Sequence, residues 1–509
     1  MNSVTRTEFL TWWELAWPSM LTNLCRMGME FTDVAVLGHF RHGMYLSSAS
    51  YASIMIGTVT VIVVRGMGGN AVGALCSAAY GAGNRKLMGL WLQVALICCS
   101  ATAVLIGPIW IWGGDLLRTV VGRDQIHESS AMNIDLFLRI SLLWILPISW
   151  TTCLNSFLTA QKVVFPQMLA AMAGIVLNFA ANFLFIYGLN FGYSGSPLAT
   201  TFSRWFVLLA LIFIVRKRGI LDSNGTWDRW DLCEAMKKHR VREYLRQAMP
   251  TAISGMVEEY QIQAIALLGG KLGPDVVATH NGFLVLILLL CSVMWGITAA
   301  TQTRIGHHLG HGDLVAVFRV IRLAALVAVT WGLFVTVVIT IFRDQVGSVF
   351  SAQHDVQVLA KEISLFVGIG YFLLALFYIS MSVLVATFQQ LWIVAAFVVG
   401  AWCFAVPSAW ALAFVSDSAW LSWYPARLQW DVGPGGKGAG LLGLWIGLSI
   451  GYLVTTLLAT AGVLRTKWPT AVEAARRKAE VTQQSDEGEL LSFRGRDSSE
   501  PDAARPSQT

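Results

Sequence analysis

Two short stretches, AWPSML (16–21) and AMPTAI (248–253), each place a proline near the start of an apolar run, and they align position by position. A second pair, YGAGN (80–84) and LGHGD (309–313), aligns with nearly the same offset along the chain. Each copy occupies the corresponding place in its own half of the chain. The sequence therefore predicts two structurally similar halves.

The composition indicates the environment of these halves. Of the 509 residues, 55% are hydrophobic and 13% are charged, with a mean hydropathy of +0.60. Soluble domains carry roughly 25% charged residues, so this chain has about half the usual charge. That balance excludes a water-soluble enzyme, a disordered chain and a nucleic-acid-binding protein. The 21 Trp and 46 Gly are typical of bilayer proteins, where Trp lies at the interface and Gly permits close helix packing.

Apolar runs of about 20 residues, the length that crosses a bilayer, occur twelve times. They lie near residues 15–38, 46–72, 88–112, 134–158, 166–188, 195–215, 248–270, 281–301, 318–341, 360–387, 391–415 and 440–463. Six runs separate the repeated motifs, and because six is even, both halves enter the membrane in the same direction. We therefore predict an all-α integral membrane protein with twelve transmembrane helices in two six-helix bundles, related by a pseudo-twofold axis along the membrane normal.

The charged residues outside the apolar runs predict the domain boundaries and the orientation of the chain in the membrane. The stretch between the sixth and seventh runs holds nine Lys and Arg, and such residues favour the cytoplasmic side. We expect an N-terminal bundle (1–215), a basic cytoplasmic linker (216–246), a C-terminal bundle (247–464) and a disordered cytoplasmic tail (465–509), with both termini in the cytoplasm. We expect the protein in the plasma membrane or in a vacuolar or endosomal membrane, the latter because DEGELL (486–491) is similar to an acidic dileucine sorting signal.

Parallel repeats of this kind are a common plan of transporters, with the substrate site between the halves near the middle of the membrane. The glycine-rich stretch GPGGKGAG (433–440) lacks the spacing of a phosphate-binding loop, so transport is expected to use an ion gradient, with no cofactor. His307 and His311 have the spacing of metal ligands on a helix. A solvated loop face is the favoured interpretation of these two, and no metal site is expected.

Ionisable groups inside the runs are costly and are therefore functional candidates. Arg26, Glu30 and Asp33 share one face of the first helix, which must look into a cavity or the bundle interior. Two interpretations stay open for this triad. It is either a mutually neutralised structural unit, or one of its carboxylates takes up and releases a proton during transport.

The seventh run carries Glu258 and Glu259, which cannot share a helical face because adjacent residues point about 100° apart. A buried carboxylate that binds either a proton or a cation is the minimal chemistry of an antiporter. Further candidates for the cavity lining are polar or aromatic, although each could equally hold helices together or anchor the interface: Gln161, Asn178, Asn182, Gln263, Tyr260 and Trp295.

In these residues the chain resembles the eukaryotic branch of the MATE (multidrug and toxic compound extrusion) family. The resemblance runs in order across about 450 residues. Its motifs are ELAWPSMLTNL (14–24), FTDVAVLGH (31–39), ALCSAAYGAGNRKLMGLWLQ (74–93), FLTAQKVVFPQ (157–167), LATTFSRW (198–205), YLRQAMPTAISGMVEEY (244–260), LGGKLGPDVVATH (268–280), AATQTRIGHHLGHGD (299–313) and LLGLWIGLSIGY (441–452).

The resemblance implies a transporter, not an enzyme, that exchanges organic cations or other amphiphiles for H⁺, with Na⁺ as the alternative ion, acting as a monomer in the lipid bilayer. Glu258 falls on the glutamate that eukaryotic members use for coupling, and Asp33 on the aspartate of the prokaryotic branch. Arg26 and Glu30 replace residues that are normally uncharged. Because a nearby arginine favours the ionised form of Asp33, we expect Glu258 to be the main coupling residue.

Two rival functions are weighed against this one. A lipid-linked oligosaccharide flippase of the same superfamily would need a larger and more basic cavity, for which the sequence offers Arg26, Arg65, Arg139 and Arg204. A membrane-embedded transferase would need a clustered His/Asp/Asn or Asp-rich site, which the sequence lacks.

Overall fold

The computed structural model describes residues 3–39, 43–121, 128–227, 229–349, 353–415, 430–431 and 437–479. Most of these residues are helical. The α-helices are α1 (Ser3–His39), α2 (Gly43–Thr60), α3 (Val72–Gly81), α4 (Arg85–Ile111), α5 (Gly113–Val121), α6 (Glu128–Ala160), α7 (Phe165–Phe183), α8 (Gly195–Lys217), α9 (Ile220–Ser223), α10 (Leu232–Ala235), α11 (Lys238–Leu272), α12 (Pro274–His311), α13 (Leu314–Ile341), α14 (Arg343–Val346), α15 (His354–Ala386), α16 (Gln390–Phe397), α17 (Val406–Trp410) and α18 (Gly440–Leu464).

Shorter elements complete the fold. π-helical turns occupy Val61–Ala71, Leu184–Gly188, Val398–Ala405 and Ala411–Val415, and 3₁₀ turns occupy Gly192–Ser194 and Gly347–Val349. Two antiparallel strands of two residues each, β1 (Trp430–Asp431) and β2 (Lys437–Gly438), precede α18. The π-helical turns continue the neighbouring α-helices, so α2, Val61–Ala71 and α3 run on as one long helix.

Ten helices of the described chain are long and apolar enough to cross a membrane. They correspond to ten of the twelve apolar runs. The other two runs lie in α1 and α11, which have 37 and 35 residues. These two helices carry the charged groups that the sequence singles out. The same charged residues that are functional candidates therefore lower the mean hydropathy of α1 and α11.

The buried apolar side chains form two clusters, one mainly from each half of the chain. The first residues of α1 and of α11, the first long helix of each half, pack in the apolar cluster of the other half. Trp12 of α1 is buried among second-half residues and donates its indole N–H to Thr301 at 3.0 Å. Tyr244 of α11 is buried in the first-half cluster and donates its hydroxyl to the Met67 carbonyl at 2.8 Å.

Contacts between the halves are reciprocal. A Cβ at Gly296 would collide with Met20, and one at Gly66 would lie 2.6 Å from the Cβ of Ala252. The proline motifs make Met20 equivalent to Ala252, and the glycine motifs bring Gly66 to within one residue of Gly296. Helices α3 and α12, which lead into YGAGN and LGHGD, also make reciprocal contacts. Gly81 contacts His307, and their equivalents Gly310 and Ala78 contact each other. Ser77 contacts its own equivalent, Gly306.

Helix α18 packs closely on the segment 398–415 through its glycines. A Cβ at Gly443 would lie 2.7 Å from the Ala413 backbone nitrogen, and one at Gly451 would lie 2.9 Å from the Gly400 carbonyl oxygen. The glycines of α18 therefore let its backbone pack directly against the backbone of residues 398–415.

Two predicted segments are more helical than expected. Helix α11 begins at Lys238, so residues 238–246 of the predicted linker are helical. Residues 468–479, predicted to belong to a disordered tail, form a helix that buries Ala471, Ala475 and Ala479. Three alanines spaced four apart give this polar segment a narrow apolar stripe. The remaining tail, with the dileucine-like motif, lies outside the described residues.

Candidate functional site

Asp33 accepts hydrogen bonds from two neutral side chains. Asn182 of α7 donates its amide to one carboxylate oxygen at 2.9 Å, and the Thr200 hydroxyl of α8 donates to the other. Asn178, one helical turn before Asn182, donates to the Thr200 hydroxyl at 3.4 Å. The three donors are buried and Asp33 is half-buried. The structure thus brings Asp33, Asn178 and Asn182 together in one polar pocket.

The other two charges of the first helix belong to a separate network. Glu30 forms an ion pair with Arg204 of α8 at 3.2 Å and a longer one with Arg26 at 3.8 Å. The guanidinium of Arg26 lies 5.3 Å from the centre of the Trp295 ring on α12. Arg26, the arginine expected to act on Asp33, forms its ion pair with Glu30 and not with Asp33.

Glu258 is buried and paired with an arginine from the other half of the chain. Arg65, in the π-helical segment Val61–Ala71, donates to the Glu258 carboxylate, and the two form an ion pair. The same guanidinium contacts the Met381 sulfur at 3.7 Å and lies 5.9 Å from the centre of the Tyr378 ring. The ion pair therefore joins the two halves against a wall formed by α15.

The neighbours of Glu258 point elsewhere, as the helical geometry requires. Glu259 accepts a hydrogen bond from the Gln263 amide at 3.2 Å and approaches α2 at Gly57, where an added Cβ would lie 3.4 Å from its carboxylate. Tyr260 is exposed, at 42% of its surface. Gln263 thus serves Glu259, and the structure brings neither Gln263 nor Tyr260 to the Glu258 carboxylate.

Gln161 lies apart from these residues. It follows the end of α6, and its carbonyl oxygen accepts hydrogen bonds from Asn224 at 2.9 Å and Thr226 at 3.2 Å. These partners belong to the segment between α8 and α11. In this conformation Gln161 therefore fixes that connection to the end of the first-half helices.

Sequence reasoning missed the partners on other helices. Arg65 was noted only as a basic residue, and Thr200 and the Glu8–Arg304 pair were not singled out. Glu8 of α1 binds Arg304 of α12 through two bonds of 2.7 Å, and His308 lies 3.3 Å from the same carboxylate. No spacing rule along the chain reveals these pairs, because their members lie on helices that are far apart in the sequence.

His307 also differs from expectation. It lies in α12, is buried, and its ring nitrogen contacts the Ala160 carbonyl at 2.7 Å, so it does not belong to a solvated loop. Within the described part of the chain, no group of three or more His, Cys, Asp or Glu is placed to hold a metal ion.

Long apolar helices, two pseudo-equivalent halves and acids buried at polar contacts between helices define a multi-pass membrane transporter. The chain belongs to the MATE family: the MatE family model matches residues 18–184 and again 250–411. The two matches begin at Pro18 and Pro250, the prolines of the repeated motif. The resemblance seen in the sequence is thereby confirmed, and the family is one of multidrug and toxin extrusion transporters.

Individual relatives agree with this assignment. The chain is 23% identical over 468 residues to Protein DETOXIFICATION 30 of Arabidopsis thaliana, covering 91% of this chain and 87% of that protein. It is 23% identical over 477 residues to Multidrug and toxin extrusion protein 1 of Oryctolagus cuniculus, covering 92% and 77%. The crystal structure of the eukaryotic MATE transporter AtDTX14 superposes with a TM-score of 0.81 at 18% identity, covering 93% of this chain and 99% of that one.

Proposed function

We propose that this protein exports organic cations or other amphiphilic small molecules in exchange for H⁺, by alternating access to a site between its two halves. The observation that carries the proposal is the Asp33 carboxylate, which is held in a membrane helix by neutral donors. A carboxylate in such surroundings can accept a proton without leaving another charge unpaired. Names such as "Multidrug and toxin extrusion protein 1" for relatives support the substrate class.

The architecture that we propose is two bundles of six membrane helices with a pseudo-twofold axis. The reciprocal contacts of Gly66 and Gly296, and of Gly81 and Gly310, support it, since a twofold axis pairs contacts in this way. The charged helices α1 and α11 supply the first span of each bundle. Both termini lie in the cytoplasm. The protein resides in the plasma membrane or in a vacuolar or endosomal membrane, and it acts as a monomer.

Closure at one end supports alternating access. The bidentate Glu8–Arg304 pair lies where α1 meets α12, and the glycine contacts of α3 with α12 seal the same region. Under the proposed orientation this is the cytoplasmic end. The halves must separate here for the substrate to enter from the cytoplasm.

The two acids take different roles in the proposed cycle. Asp33 binds the proton that drives transport. Glu258 is engaged by Arg65 while the halves are in contact, and it becomes available to a cationic substrate or to a second proton when they separate. The ranking of the two residues is therefore the reverse of the one that the sequence favours.

The flippase alternative loses its support in the geometry. Three of the basic residues offered for it are ion-paired with acids, Arg26 and Arg204 with Glu30 and Arg65 with Glu258. The pairing leaves little positive charge for an anionic diphosphate headgroup at these positions.

The test is uptake of tetraethylammonium into proteoliposomes after an inside-acid pH gradient is imposed, and separately an outward Na⁺ gradient. Uptake driven by the pH gradient alone is expected. Uptake driven only by the Na⁺ gradient would mean that Na⁺, and not H⁺, is the coupling ion. No uptake under either gradient would contradict the proposal and favour lipid or anionic substrates.

A further inference from the structure

A second, strongly basic cavity lies away from the acids described above. It has a volume of about 700 Å³ and opens where α11 begins and where α15 and α18 end. The helix of residues 468–479 forms its outer wall, and Trp91 of α4 and Phe388 contribute aromatic surface. It adjoins helix ends rather than helix centres, and under the proposed orientation these ends lie on the cytoplasmic side.

Positive charge dominates this cavity. Among the described residues that line it, one carboxylate, Glu243, faces six cationic side chains: Arg240, Arg246, Arg465, Lys467, Arg477 and Lys478. Glu234 holds Arg240 and Glu243 holds Lys478. The other four are exposed and form no side-chain ion pair or hydrogen bond with a described residue.

Burial lowers the pKa of two groups at this cavity, and positive charge contributes at one of them. Burial, and then the positive charge of Arg240, lowers the pKa of His239 below its usual range. Burial lowers the pKa of Lys478 to about 8. An anion bound here would stabilise the charged form of both groups.

A buried polar atom adds a second requirement. Gln247 lines the cavity and is 3% exposed, and its amide nitrogen donates to Glu243 at 3.0 Å. Its carbonyl oxygen has no hydrogen-bond partner among the described residues. A buried acceptor of this kind is costly unless a donor reaches it, and a ligand hydroxyl is such a donor.

We propose that this cavity binds a phosphate-bearing, hydroxylated anionic group, of the kind carried by phosphoinositide lipids or by free inositol phosphates. Arginine recognises phosphate through paired N–H donors, and basic pockets between membrane helices bind such headgroups. Basic residues that only set topology need not converge on a cavity with an unsatisfied acceptor. The site is separate from the proposed transport pocket around Asp33.

The test uses the purified full-length protein in detergent and measures binding by thermophoresis. The probes are dioctanoyl phosphatidylinositol bisphosphate, inositol trisphosphate, inorganic phosphate and dioctanoyl phosphatidylcholine. The cavity variant is R246Q/R465Q/R477Q. The matched control, R216Q/K217Q/R218Q, removes the same charge from exposed positions at the end of α8, outside the cavity.

The phosphorylated inositol probes are expected to bind, with at least tenfold weaker binding to the cavity variant and less than twofold change in the control. Preference for the lipid probe over inositol trisphosphate would identify a membrane lipid as the source, and equal affinity would identify a free phosphate compound. Equal weakening in both variants, or no binding of any phosphate-bearing probe, would overturn the proposal. If the triple variant does not fold, Arg246→Gln alone is expected to weaken binding at least threefold.

Gln247→Met examines the unsatisfied acceptor. This variant is expected to lose the preference for dioctanoyl phosphatidylinositol phosphate over dioctanoyl phosphatidic acid, which lacks the inositol hydroxyls. An unchanged preference would show that the cavity recognises phosphate charge alone and would overturn the hydroxyl requirement.

Discussion

The two acids that the sequence singles out, Asp33 and Glu258, are held in opposite ways. Asp33 receives hydrogen bonds from Asn182 and Thr200 within its own half, whereas Glu258 is ion-paired with Arg65 across the two halves. Protonation of Asp33 leaves no cation without a partner. Protonation of Glu258 would leave a largely buried arginine uncompensated, which is costly. The contrast suits Asp33 to proton exchange and Glu258 to joining the halves.

The repeat places these contacts at equivalent positions with different chemistry. The offset of the proline motifs pairs position 26 with position 258, and the offset of the glycine motifs brings position 65 to within one residue of position 295. The Arg65–Glu258 ion pair therefore lies close to the place that corresponds to the contact of Arg26 with the Trp295 ring. The duplicated architecture has kept the crossing point while its charges diverged, so the two halves cannot play identical parts.

The largest effect is expected from Asp33→Asn, which keeps the shape of the side chain but cannot exchange a proton. Tetraethylammonium uptake driven by a pH gradient should fall to the level of protein-free vesicles. Glu473→Gln, on the exposed face of the 468–479 helix, is the control and should transport like the wild type. Driven uptake that persists in Asp33→Asn would move the proton site elsewhere.

Breaking the ion pair should destabilise the fold. Glu258→Gln and Arg65→Met are each expected to lower the free energy of unfolding by about 3 kcal/mol, because each leaves one buried polar partner uncompensated. The double variant should lose clearly less than the sum of the two. Chemical unfolding in detergent micelles, analysed as a double-mutant cycle, measures the coupling. Additive losses would mean that the two side chains do not interact.

A smaller effect is expected at the donors to Asp33. Thr200→Val removes one hydrogen bond to a carboxylate at nearly constant volume, a loss of about 1.5 kcal/mol or roughly tenfold in the driven transport rate. Thr201→Val, whose hydroxyl donates to the Pro197 carbonyl of the same helix, is the matched control. Equal rates for the two variants would exclude a specific role for Thr200.

The smallest effect is expected at the contact between Arg26 of the first half and Trp295 of the second half. The coupling between Arg26→Met and Trp295→Leu should be about 1 kcal/mol, as for a partly buried cation–π pair. Trp295→Phe, which keeps an aromatic face, should recover part of it. Unfolding measurements on the same double-mutant plan test this value. A coupling as large as that of Arg65 with Glu258 would remove the asymmetry between the halves.

What the sequence could predict follows from what is local along the chain. Spacing placed Arg26, Glu30 and Asp33 on one face and separated Glu258 from Glu259, and the repeated prolines marked the two halves that the family model also matches. The partners could not be predicted, because Thr200 and Arg65 reach their acids only through packing between helices. Arg204 forms its ion pair with Glu30 and not with Asp33 for the same reason.

Composition alone could not decide two further places. Gln161 has the polarity of a cavity residue, and in the structure it follows a helix end and binds the connection between α8 and α11. The 468–479 helix has a polar average composition, but its buried alanines and its Lys478–Glu243 ion pair show that it packs on the protein. The average composition of a segment does not reveal either contact, because each depends on what a single side chain or one face of a helix touches.

The most direct measurement of the central claim is proton movement caused by the substrate. Proteoliposomes that contain a pH-sensitive dye would receive external tetraethylammonium with no imposed gradient, with wild type, Asp33→Asn and Glu473→Gln compared. The account predicts that the lumen becomes alkaline with wild type and Glu473→Gln, as protons leave in exchange for the cation, and that Asp33→Asn gives no change. Cation entry into wild-type vesicles without proton exit, or an unchanged response in Asp33→Asn, would contradict it.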